Sequence, residues 1–222
     1  MTALLQTTYF GPIQWYQKLN RHDHCLIEQH DSYQKQTYRN RCIIATANGQ
    51  QALTIPVEHT DEKTLVKDLR ISDHNQWRRV HWNALQSAYS ESPFFEYYAD
   101  DIHPFFEKKY DFLIDFNEAI RQKMCELLDI HPNVEYTTNY LPSPLRSKHS
   151  TLDTQHSILR HTLKERNLTD FREIIHAKHS LPDPNFEPKE YWQVFQHKHG
   201  FMPNLSILDL LFCMGPESVF YL

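Results

Sequence analysis

Residues Cys42 to Val57 read CIIATANGQQALTIPV. Two apolar, β-rich runs flank Asn48-Gly49, the pair that favours a two-residue hairpin turn because both turn positions require positive φ. A loop of those two residues sets Ala47 opposite Gln50, Ile44 opposite Leu53 and Cys42 opposite Ile55. Extended backward, the same register sets Arg41 opposite Pro56 and Arg39 opposite Glu58. Side chains alternate between faces, so Arg39 and Arg41 share a face with Ile43 and Ala45, and Asn40 points to the other.

Just before the hairpin comes YQKQTYRNRC, Tyr33 to Cys42, which gathers Lys35, Arg39 and Arg41 with no acid among them. The chain as a whole is net acidic, at −5. Either these cations meet carboxylates from elsewhere in the fold, or they await an anion from outside. Arg39 opposite Glu58 would be a cross-strand ion pair worth a fraction of a kcal/mol if exposed, about the usual size for such pairs. Arg41 and Lys35 get no partner from the hairpin. The planar guanidinium suits phosphate or carboxylate, and Tyr33 and Tyr38 are placed to stack on a base or sugar.

Outward from this centre, LLQTTYF is β-like, Gly11-Pro12 is a break, and IQWYQKL begins a short helix. HCLIEQ is a second strand, and LVKDLRIS (Leu65 to Ser72) a further one. A helix is expected from Asn75 to about Tyr89, with Trp77, Val80, Ala84 and Ala88 on its apolar stripe and His81 beside it. Ser92-Pro93 ends that region. After the aromatic segment FFEYYADDIHPFFEKKY, a longer core helix carries Phe112, Phe116, Ala119, Ile120, Met124, Leu127 and Leu128.

From about 131 to 188 the chain is rich in Pro, Ser and His and reads as long loops, with a strand near VEYTTNYL and a helix near DFREIIHA. Near the end, Ser206-x-x-Asp209 fits a capping box before the apolar ILDLLFCM, and Gly215-Pro216 supplies a left-handed stop. The sum is one α/β or α+β domain over 1–222, with a mixed or mostly antiparallel sheet that includes the Asn48-Gly49 hairpin, flanked by helices.

Several function classes lack their motifs. Only four glycines occur (Gly11, Gly49, Gly200, Gly215), too dispersed for a Rossmann fingerprint or a Walker loop. The acidic balance argues against a duplex-wide nucleic-acid footprint. Four cysteines (Cys25, Cys42, Cys125, Cys213) form no C-x-x-C and no secreted disulfide pattern. MTALLQTTYF has neither a basic n-region nor a long apolar core, and LSILDLLFCM is too short to span a bilayer. A cytoplasmic protein is expected.

Fifteen histidines include the H-x-H pairs His22/His24 and His197/His199, and His176/His179 lie three apart. Spacing fixes no third ligand, so surface histidines are favoured over a metal site. His81 beside Trp77 and Trp82 is either a hydrogen-bonded core histidine, the commoner outcome, or a general base. Asp209 is either a first-turn charge favoured by the helix dipole or a functional carboxylate.

The segments YFGPIQWYQKL, YQKQTYRNRC with LTIPV, W-x-x-x-HW with AYSESPFFEYY, and FMPNLSILDLLFCMGPE occur in that order from Tyr9 to Glu217. Together they resemble the WbqC-like protein family. Thr7-Thr8 stands where many relatives carry Gln-Pro. The resemblance implies a bacterial cytoplasmic protein associated with O-antigen and other surface-polysaccharide genes, some relatives being described as transferases that attach an amino acid to an amino sugar. Its matching polar positions are Gln14, Lys35, Arg39, Asn40, Arg41, His81, Ser206 and Asp209. The expected activity is a transferase acting on a nucleotide-activated or phosphorylated sugar, with His81 and Asp209 catalytic. Lys35, Arg39, Asn40, Arg41, Gln14 and Tyr38 would bind that small anionic substrate. An assembly or regulatory partner in envelope biosynthesis, docking through the apolar C-terminal segment and the Pro-rich stretch, and a metal-dependent enzyme are the alternatives. No cofactor is indicated.

Overall fold

A computed structural model describes residues 1–58, 64–143 and 167–222. The chain opens with β1 (Thr2–Gln6), α1 (Ile13–Arg21) and β2 (His24–Glu28). β1 and β2 run parallel, from Thr2 beside His24 to Gln6 beside Glu28. Ala3, Leu4 and Leu5 are almost fully buried, as expected of a parallel strand covered on both faces. α1 is buried continuously from Ile13 to Leu19, so its polar residues Gln14, Gln17 and Lys18 lie inside the protein rather than on a solvated face.

The hairpin forms as expected, with a different register. β3 (Arg41–Thr46) and β4 (Gly49–Thr54) pair Cys42 with Leu53 and Ile44 with Gln51. The loop is Ala47-Asn48, one place earlier than the Asn-Gly reading, and every cross-strand pair shifts by two. The Thr46 hydroxyl fixes this turn. It donates to the Gly49 carbonyl at 2.8 Å and accepts from the Asn48 N–H at 3.2 Å. Gly49 takes φ +98° immediately after the turn, a conformation that an L side chain resists. Arg41 therefore lies opposite Thr54, not Pro56. Beyond it the ladder ends on Asn40, which accepts from the Ile55 N–H and donates its own amide to the Ile55 carbonyl, both at 2.8 Å.

Helices then surround the hairpin. α2 (Trp77–Tyr89) buries Trp77, His81, Leu85, Ala88 and Tyr89. The expected stripe is rotated by one position, for Val80 is 54% exposed while His81 faces inward. Leu65 to Ser72 is not a strand. It makes a 3-10 turn at Val66–Asp68 and isolated bridges from Leu65, Arg70 and Ile71. The aromatic segment gives α3 (Phe95–Ile102) and α4 (Pro104–Glu107), followed by α5 (Leu113–Leu127) with Phe116, Ile120 and Met124 in the core.

The short strands β5 (Val134–Tyr136) and β6 (Leu168–Asp170) complete the larger sheet in the order β5-β2-β1-β6, parallel at every pairing. The α/β class holds, but the hairpin is a separate two-stranded sheet. The helix expected at DFREIIHA is absent; Asp170 ends β6 and turns follow. Much of the Pro-rich stretch, 144–166, lies outside the described residues.

α6 (Gln196–His199) precedes α7 (Ile207–Met214). Ser206 caps α7, its hydroxyl accepting from the Leu208 N–H and donating to the Phe10 carbonyl. The second half of the capping box does not form, because the Ser206 N–H is taken by Ile43 of the hairpin. Gly215 ends α7 at φ +55°, where a Cβ would stand 2.6 Å from the Phe94 ring. A contiguous core links sheet, hairpin and helices. All four cysteines are free and buried within or beside it.

Candidate functional site

Lys35, Asn40 and Arg41 meet in space. With Tyr33, Thr54 and Glu58 they line a concavity of about 390 Å³ beside the open end of the hairpin. The hairpin supplies Arg41 and Thr54 as a cross-strand pair, and the Arg41 Nε donates to the Thr54 hydroxyl at 3.0 Å. That contact fixes one edge of the guanidinium and leaves its remaining N–H groups for a ligand. Among the described residues no carboxylate pairs with Lys35 or Arg41.

Asn40 adds an acceptor. Its Nδ2 is committed to the Ile55 carbonyl, which fixes the amide orientation. Burial pushes the Tyr33 hydroxyl above its ordinary pKa, while the Arg39 charge, a hydrogen bond with the Asn40 side chain and the Arg41 charge pull the other way. Such a pocket offers two cations, a match for an anion.

Arg39 does not belong to this wall. Its guanidinium is 1% exposed and donates to Asp31 at 2.7 Å. The expected pairing with Glu58 is overturned because Arg39 lies before the ladder begins. Sequence reasoning missed Asp31, and with it a second set of buried charges where the parallel strands end. Glu28, at the end of β2, accepts from the His30 and Leu141 N–H groups and the Thr137 hydroxyl, with the Arg172 guanidinium 3.5 Å away. Arg172 grips Asp170, at the end of β6, in a two-pronged contact of 2.9 and 2.8 Å. The carboxyl ends of parallel strands are where α/β proteins commonly place ligands; that rule is the signal that points to this cluster.

Gln14 and Tyr38 line a different cleft of about 480 Å³, together with Gln50, Asp183, Phe186 and Asn204. Asp183 accepts from Gln14 at 2.9 Å and from buried Lys18 at 2.7 Å. Burial alone would raise the Asp183 pKa, but these donors outweigh it and hold the carboxyl below its usual range.

His81 and Asp209 occupy neither cavity. His81 is 4% exposed, its Nδ1 stands 2.9 Å from the Tyr9 hydroxyl, and the Trp77 ring packs edge-on. Burial lowers its pKa to about 4, against a hydrogen bond to the Thr54 backbone that acts to raise it. A neutral ring so engaged fits the core-histidine reading. Asp209 is fully buried and accepts from Tyr191 at 2.6 Å, Tyr89 at 2.8 Å and Gln193 at 3.1 Å. Burial pushes its carboxyl up to about 6 in spite of these donors. Tyr89 in turn accepts from the Ala45 N–H, so Asp209 ties α7 to α2 and to β3. Asp209 stands in the first turn of α7 as expected and is at the same time a buried junction.

The histidine pairs are engaged separately. His22 meets the Lys18 carbonyl, His24 faces Glu135, and His199 meets the Ala47 carbonyl. Among the described residues no three His, Cys, Asp or Glu side chains converge as a metal site would require. No helix among them is long and apolar enough to cross a membrane.

A parallel sheet, a separate two-stranded hairpin and flanking helices define an α/β protein with two concavities along the hairpin. The chain belongs to the WbqC-like protein family, whose model matches residues 6–221. It is 26% identical to a Mycobacterium tuberculosis protein described as uncharacterized, over 99% of this chain and 96% of that one. No solved structure matches the chain.

Proposed function

We propose that this protein is a transferase acting on a nucleotide-activated or phosphorylated sugar, in the cytoplasm and in the service of surface-polysaccharide assembly. One observation carries the reading: Lys35 and Arg41, neither paired with a carboxylate among the described residues, share a concavity with Tyr33 and Asn40. The cations suit phosphate oxygens, and Asn40 suits a sugar hydroxyl or a base N–H. Tyr33 offers a ring at the same wall. The polysaccharide setting rests on the family resemblance.

In this reading His81 is a buried core residue held by Tyr9 rather than the general base. Glu58, which lines the concavity, is the carboxylate placed to accept from a substrate hydroxyl or amine. The alternative of a docking protein loses one of its two proposed surfaces, because Ile207 to Cys213 are buried; the other, the Pro-rich stretch, lies partly outside the described residues.

Calorimetric titration with UDP, dTDP and GDP and their sugar derivatives tests the proposal. Binding is expected, and Arg41→Ala and Lys35→Ala should each weaken it about tenfold or more, the usual effect of losing one charge-assisted hydrogen bond. Absence of binding throughout the panel, or unchanged affinity in Arg41→Ala, would overturn it.

A further inference from the structure

The larger cleft lies along the same hairpin. Arg41 and Thr54 line the cation-bearing concavity, and Ile43 and Gln50 line the cleft. Arg41 pairs with Thr54, Ile43 with Ala52 and Ala45 with Gln50. Paired residues, and residues two apart, point to one side of a β-ribbon, so both cavities open onto the outward face of the hairpin. Their centres fall about two to four strand residues apart, or about 7–13 Å at the usual rise. The preceding loop contributes to both, with Lys35 and Asn40 to one and Tyr38 to the other.

The lining of the cleft has a distinct chemistry. The Asn204 Oδ1 accepts from the Gln14 N–H at 2.9 Å, and its Nδ2 donates to the Gln14 Oε1 at 3.1 Å. Asn204 is held at φ +55° to make this clasp, a conformation that asparagine tolerates better than most residues. The Gln14 Nε2 donates to Asp183. Each amide keeps a second N–H for a ligand after these contacts. The charges balance, because Lys18 and Asp183 neutralise one another with side chains only 3% and 4% exposed. Asp183 also accepts from the Asn185 N–H, which tightens the turn that presents Phe186. Around Gln14 and Asn204 the wall is therefore free of net charge, rich in fixed amides, and edged by the rings of Tyr38 and Phe186, with His176 on the rim of the same cleft. Its volume lies within the usual range of about 300–1,000 Å³ for small-molecule sites.

We infer that this cleft is a sugar subsite, holding the neutral, polyhydroxylated ring of the substrate whose phosphate rests on Lys35 and Arg41. Amides that donate and accept side by side match neighbouring hydroxyls, and an aromatic ring matches the apolar face of a pyranose. The inference rests on the proposed function for the phosphate end alone; the cleft's own chemistry stands apart from it.

Two variants spare the fold and test the site. Asn204→Gly keeps the positive φ while removing the amide, and Phe186→Ala trims a half-buried turn residue. Wild-type protein should bind UDP-N-acetylglucosamine about tenfold more tightly than UDP, and both variants should erase that difference while leaving UDP affinity within about twofold. Saturation-transfer NMR with methyl N-acetylglucosaminide alone should show contacts that both variants abolish. If UDP binds but the sugar adds no affinity, or if both variants keep the ratio, the subsite is refuted and the phosphate reading survives. If UDP fails to bind while the glycoside contacts appear and vanish in the variants, the subsite stands and the phosphate reading falls. A glycoside that gives no contacts, beside UDP that gives no binding, removes both.

Discussion

Asp209 shows how far a single side chain can depart from its local sequence. Ser206-x-x-Asp209 reads as a capping box, in which the acid would face the first turn of α7. The structure instead converges Tyr89, Tyr191 and Gln193 on it, from up to 120 residues away. Nothing local signals that convergence, since the pairing is made by tertiary packing. The carboxyl takes up its proton near pH 6 in the folded protein and near 3.8 when unfolded. Between those values the folded state binds more protons, so this group's contribution to stability is complete below about 3.8 and is lost as pH rises through 6. Wild type should therefore gain about 2 kcal/mol on Asp209→Asn between pH 7.5 and 4.5, from about 1.4 kcal/mol per pH unit below 6. Urea unfolding of both proteins across that range measures it; parallel pH profiles would show that Asp209 does not titrate in this way.

Arg39 and Arg41 make the same point from the other side. Two arginines one residue apart look alike in sequence, yet one is sealed against Asp31 and the other lines a cavity. Their difference follows from where the β-ladder stops. Lys35, Asn40 and Arg41 were legible as a group because they sit within seven residues of one another.

At the scale of elements, the hairpin was legible and its register was not. Asn48-Gly49 announces a turn, but the Thr46 hydroxyl places that turn one residue earlier. The shift by two keeps every side chain on its expected face while changing every partner. Gly49 and Gly215 then carry different demands. Both have positive φ, but open space surrounds Gly49, whereas Gly215 packs against Phe94. Gly49→Ala should cost about 1 kcal/mol in backbone strain, and Gly215→Ala about 2–4 kcal/mol because the ring must also move. Denaturant midpoints decide the order, and a larger loss at Gly49 would contradict the packing described. α2 shows a similar near miss: its period was readable, but Val80 and His81 exchange places because the burying face is set by neighbouring elements.

For the whole molecule, the α/β class followed from strand-like and helix-like runs, while the parallel sheet did not. β5 and β6 contribute only three residues each, too short for a periodic signal. The division into a parallel sheet and a separate hairpin has a functional consequence. The hairpin carries both concavities on its outward face, and the parallel sheet ends in a closed network of Glu28, Asp170 and Arg172. The proposed ligand thus lies on the hairpin rather than at the strand ends, the usual ligand position in α/β proteins. Locating a bound nucleoside diphosphate in a crystal of the complex tests this most directly. Phosphate oxygens are expected within hydrogen-bond distance of Lys35 Nζ and the Arg41 guanidinium; phosphates seated beside Arg172 at the ends of β2 and β6 would contradict the proposed site.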